Sequence, residues 1–171
     1  VELFATNLNG SNPDEDPFDD SHTETVIVLS ELVNRLPLFE IFTSSTCPPC
    51  NPGNANYHTI VDPKPSADYV SIKYQQDYPG AGDPYTTTEA INRSGYYAIS
   101  SIPRMEIDGG WDENANAFTD NLYTEAKAIP AQYKLYGSYT KYGSFLSAKV
   151  NYSPVFNSSG AKLYVAILEG R

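Results

Sequence analysis

Two patterns of apolar and polar positions divide this chain. Between residues 36 and 130, short apolar runs alternate with stretches whose apolar residues recur at helical spacing; after Pro130 the period drops to two. The run Leu36-Pro-Leu-Phe-Glu-Ile-Phe-Thr43 is apolar on both alternating faces except at Glu40. That predicts a central strand covered by helices on both sides. Tyr69, Val70, Ile72 and Tyr74 mark a second strand, and the stretch 54–61, with Ala55, His58 and Ile60, reads as a short helix between them. The unit is therefore β-α-β. Thr86 and Glu89 have the spacing of a capping box and predict a helix through Ile91 that stops near Gly95. A strand over 105–108 follows Ile102-Pro103, the turn Asp108-Gly-Gly110 comes next, and Phe118, Leu122, Ala126 and Ile129 predict a closing helix over 116–129.

Three alternating runs, 133–139, 145–152 and 163–168, then predict an antiparallel β-meander joined by turns at 141–143 and 157–160. Three strands with one apolar face need a partner sheet or another domain to cover them. The expectation is that 131–171 begins a β-rich, sandwich-type second domain of a longer protein, that 36–130 is the α/β domain, and that 1–35 is an arm. The arm holds a short β-prone run at 25–29 and an acid-rich core, Asn12-Pro-Asp-Glu-Asp-Pro-Phe-Asp-Asp20. The core reads as a solvated linker. A calcium loop is the alternative, without the glycine spacing of an EF-hand.

Composition narrows the functions. A net charge of -10 argues against nucleic acid and anionic membrane surfaces as partners. No apolar run is long enough to span a bilayer. The chain begins at Val1 with no visible signal peptide, which suggests a mature or trimmed form. The abundance of tyrosine fits cross-strand pairs or a carbohydrate-binding surface equally well. No serine-centred elbow supports a hydrolase. Cys47, Cys50, His22 and His58 match no zinc spacing, so no metal is expected.

The chemistry concentrates at Thr46-Cys-Pro-Pro-Cys50, directly after the first strand; Cys47 and Cys50 are the only cysteines. Two cysteines cannot build a disulfide framework, but two separated by two residues at a helix start can exchange thiols and disulfides. The helix end lowers the pKa of Cys47, the attacking thiol, and Cys50, one turn on, resolves the mixed disulfide. Pro48 and Pro49 fit the first turn but remove two donors, which leaves Cys50 N–H as the main backbone donor to the thiolate. Pro52 predicts a kink, or a restart near Asn54. The Cys47 pKa should therefore be only moderately lowered. Glu40 is the one ionisable group of the first strand: either burial raises its pKa and it relays the proton Cys50 must lose, or it pairs with a lysine or arginine. A cis peptide at Ile102-Pro103 would turn the backbone of Ile102 toward an extended substrate and set the Pro103 ring beside the sulfurs. No cofactor is needed, because the sulfurs carry the electrons.

The strand 36–43, Cys47-Pro-Pro-Cys50, the strand 69–74, Ile102-Pro103 and the helix 116–129 together resemble the thioredoxin superfamily. More narrowly, Phe39-Glu-Ile-Phe-Thr43 with the cysteine pair, and Tyr96-Tyr97 followed by Ile102-Pro103 and Asp108-Gly109, resemble the outer-membrane-protein-related thioredoxin-like group of gram-negative bacteria. The resemblance implies a thioredoxin-like fold (a central mixed sheet flanked by helices), an extracytoplasmic location, and exchange on protein or small thiols, with Cys47 and Cys50 catalytic and Ile102 and Pro103 at the substrate. A non-enzymatic binding or adhesion module with a structural disulfide is the rival reading. Thr46 stands where thioredoxins carry tryptophan, and the one tryptophan, Trp111, is expected as a packing anchor in a loop. The loop 77–85 is longer than such a fold requires and either shapes a substrate groove or decorates the surface.

Overall fold

The structure is a computed structural model that describes residues 2–4, 21–23, 28–156 and 160–168. The described residues fall into two compact units, one from 32–131 and 160–171, the other from 1–31 and 132–159. The architecture is mixed α/β, with a four-stranded mixed sheet and a separate long antiparallel ribbon.

In the first unit β3 (Leu38–Thr43) is the pivot. It pairs in parallel with β4 (Val70–Gln75) and antiparallel with β5 (Arg104–Ile107), which pairs antiparallel with β6 (Trp111–Glu113), giving the order β4-β3-β5-β6. Between β3 and β4 runs α1 (Cys50–Val61); α2 (Thr88–Tyr96) precedes β5, and α3 (Asp120–Ala128) follows β6. Alternation on β3 divides its side chains between two faces. Phe39 and Ile41, with Met105 and Ile107 of β5, pack on Tyr57 and Val61 of α1, Phe118, and Tyr123 and Ala126 of α3. Phe39 lies at the centre, 5.5 Å from the Phe118 ring and 5.8 Å from that of Tyr123; burying such a ring stabilises by about 1.5–3 kcal/mol. Glu40 and Phe42 point the other way, toward Tyr97 at the end of α2.

Several expectations need correction. The helix α1 is continuous from Cys50, with no restart near Asn54. Pro52 is its third residue, where the missing N–H would have had no intrahelical partner. The cap of α2 is Thr87, whose side chain accepts from Ala90 N–H; Thr86 donates its hydroxyl to Gln75 O instead. The closing helix is interrupted: a 3-10 turn over Ala115–Ala117 gives way to extended Phe118 and Thr119, and Thr119 caps α3 by accepting from Leu122 N–H. Trp111 lies in β6 rather than a loop, and packs against the core beside Phe118.

In the second unit β1 (Glu2–Phe4) pairs antiparallel with β2 (Ser21–Thr23), and β7 (Tyr133–Tyr142) with β8 (Phe145–Pro154). The expected third strand of the meander does not form: residues 160–168 carry no strand. Tyr164 packs instead in the first unit, its ring 6.3 Å from that of Tyr96 and 5.8 Å from the Arg93 guanidinium. Val28 and Leu29 are not strand, and the rest of the 25–29 run, the acid-rich 12–20 stretch and the His22 side chain lie outside the described residues.

Candidate functional site

The loop from β3 to α1 carries the chemistry. Cys47 and Cys50 form a disulfide with their Cα atoms 5.3 Å apart. Their exposures are 4% and 1%. The loop ties itself down: Cys47 N–H donates to Ser44 O at 3.2 Å and Cys50 N–H to Cys47 O at 3.0 Å. This corrects one expectation, because the Cys50 N–H is spent on a carbonyl and is not held for the Cys47 sulfur.

The segment 77–85 locks the same loop from outside. Thr46 donates its hydroxyl to Pro79 O at 2.7 Å, and Ser45 N–H donates to Asp83 Oδ2 at 2.6 Å. Asp83 is buried; burial raises its pKa, and the N–H groups of Ser45 and Tyr85 outweigh that and hold the carboxyl below its usual range. Gly82 makes this fold-back possible. Its φ is +75°, and a Cβ there would come within 2.5 Å of the Asp77 backbone. Asp83, Pro84 and Tyr85 then form one wall of an open cleft of about 390 Å³ at the C-terminal ends of β3 and β4, with Ser44, Asn54 and Lys73 on its other sides.

The Ile102–Pro103 peptide is cis, as is Tyr78–Pro79. The Cys47 Sγ lies 3.8 Å from Ile102 O. Pro103 is buried against the first turn of α1: a Cβ on Gly53 would stand 3.0 Å from Pro103 Cγ and 3.3 Å from Ala115 Cβ. Cys47, Cys50, Ile102 and Pro103 are thus brought together, with Gly53 as the residue that permits the approach. The sequence signal for Gly53 was its place one turn after the pair, where a glycine lowers helix propensity without local reason.

Glu40 has a different setting. It is buried, and its carboxylate accepts from Arg93 Nε at 2.8 Å, Arg93 Nη2 at 2.9 Å, Tyr97 OH at 2.7 Å and Tyr74 OH at 2.9 Å. Burial raises its pKa as expected, but these donors, Arg93 foremost, outweigh it and hold the carboxyl below the usual range. Of the two expectations for Glu40, the structure shows the pairing with an arginine, Arg93, and a lowered rather than a raised pKa. Across the strands, in register, Glu40 faces Glu106 and Glu106 faces Asp112. Glu106 is buried, and that burial, with Asp112 beside it, pushes its carboxyl up to about 7. His58 takes part in no cysteine site; it bonds Asp62 and Lys73.

No protein-family model and no curated protein matches the chain. Among solved structures, the crystal structure of protein AGR_C_4864 from Agrobacterium tumefaciens is similar, with a TM-score of 0.50 at 19% identity over 70% of this chain. The match covers 57% of that protein's length, and at such identity it concerns the fold alone. Among the described residues, no helix is long and apolar enough to cross a membrane.

Proposed function

We propose that this chain is a thioredoxin-like, extracytoplasmic thiol–disulfide oxidoreductase acting on protein or small thiols through Cys47 and Cys50. The observation that carries the reading is the meeting of the bridge with the 102–103 loop, Cys47 Sγ standing 3.8 Å from Ile102 O in the turn that leads into α1. The order strand, cysteine pair, helix, parallel strand, helix, proline loop, antiparallel hairpin and helix supports the thioredoxin-like part. In the reducing direction, Cys47 thiolate attacks one sulfur of a client disulfide and expels the other as thiolate. Cys50, having lost its proton, attacks Cys47 Sγ, the bridge re-forms, and the client leaves with two electrons as a dithiol. The Ile102 backbone borders the sulfur and offers strand-like pairing to the client. Asn51 N–H donates to Pro48 O and Pro52 has none, so a Cys47 thiolate would draw mainly on the α1 dipole.

The burial of both sulfurs favours a second reading, a binding module whose bridge is structural. Trapping separates the two. With a disulfide-bonded model client, reduced Cys50→Ser should accumulate a mixed disulfide at Cys47, and Cys47→Ser should not. Absence of any adduct in the folded protein would leave the structural bridge as the account.

A further inference from the structure

The buried stripe of α1 runs through Cys50, Gly53, Tyr57 and Val61. Asn54 borders that stripe, half-buried and one turn after Cys50. Its Nδ2 donates to Thr43 Oγ1 at 2.9 Å, which fixes the amide against the end of β3. Its Oδ1 is buried and, among the described residues, has no donor. Native proteins rarely leave a buried amide oxygen in that state. A helical side chain leans toward the helix N-terminus and covers the turn before its own Cα, so the Asn54 amide lies over the turn that begins at Cys50.

The structure is that of the oxidised pair, in which Cys50 Sγ carries no hydrogen. Reduction by two electrons and two protons breaks the S–S bond and creates a new donor, the Cys50 S–H, on this same stripe. We infer that Asn54 is a positioning residue of the redox pair, its Oδ1 accepting the Cys50 S–H in the reduced protein. This rests on the reading of Cys47–Cys50 as a working pair. The bond exists only after reduction, so it favours the dithiol and raises the reduction potential. It also keeps Cys50 neutral until a mixed disulfide forms at Cys47, when the proton must leave.

Two measurements test it. Cys47→Ser leaves Cys50 as the single thiol. Its infrared S–H stretch should lie at lower wavenumber than in Cys47→Ser/Asn54→Ala, and Cys47→Ser/Asn54→Asp, which keeps an oxygen in place, should retain the lowered band. An identical band with and without the Asn54 amide overturns the inference. In the two-cysteine protein, Asn54→Ala should move the equilibrium with dithiothreitol about three- to tenfold toward the disulfide, roughly 15–30 mV more negative. An unchanged constant overturns it as well. Both are differences between variants, so they fail independently of the absolute potential, on which the exchange reading itself depends.

Discussion

At the scale of single residues, Glu106 is the group whose setting has the clearest solution consequence. It is buried between Glu40 on β3 and Asp112 on β6, with Arg104 two residues back on its own strand and Tyr97 facing it from α2. The two arginines are committed elsewhere, Arg93 to Glu40 and Arg104 to Asp112. Glu106 therefore keeps its proton to a native pKa of about 7, against a usual 4.5. A carboxyl raised in the native state gives stability that is complete below its unfolded pKa and is lost as the pH rises through the native one. Stability should thus decline between about pH 4.5 and 7 on this account. Glu106→Gln, which keeps a donor for Asp112 without a charge, should be about 1–3 kcal/mol more stable than the native protein at pH 8 and nearly equal at pH 5. Denaturant melts at the two pH values check this; equal differences at both would contradict it.

At the scale of elements, the joint between α1 and the 102–103 loop leaves no room for a side chain at Gly53. Glycine in a helix costs up to about 1 kcal/mol relative to alanine, so propensity alone predicts that Gly53→Ala stabilises. The packing predicts the reverse, since the new Cβ meets the ring of Pro103 at 3.0 Å and the Cβ of Ala115 at 3.3 Å. Overpacking of this kind costs about 1–3 kcal/mol, so a net loss of roughly 1–2 kcal/mol is expected, read by thermal or denaturant unfolding. A gain in stability would show that the loop yields. The same joint marks how far the sequence could be read. β3, α1 and β4 were legible because their apolar periodicity is local. What escaped is set by position within an element or by distant partners. Pro52 breaks a helix interior but not a first turn; Thr87, not Thr86, caps α2 because the extended backbone ends there. β6 is too short, at three residues, to display alternation. The donors that lower the Glu40 pKa include Arg93, which is 53 residues away in the chain.

At the scale of the molecule, two regions differ in how they are held. The four-stranded sheet of one unit buries nearly all of β3 and β5, whereas the β7–β8 ribbon of the other exposes Leu135, Tyr139, Phe145 and Tyr152. The third strand expected there was inferred from alternation alone, which cannot tell a strand from an extended segment whose tyrosine packs elsewhere. The cysteine pair belongs to the first of these units, and the central claim is that the pair works rather than merely staples α1 to its loop. Equilibration of the Cys47–Cys50 bridge with glutathione or dithiothreitol buffers tests that claim most directly. The account predicts a reduction potential of roughly -120 to -270 mV, reached without unfolding. A value below about -300 mV, or reduction only on unfolding, would contradict it and identify the bridge as structural.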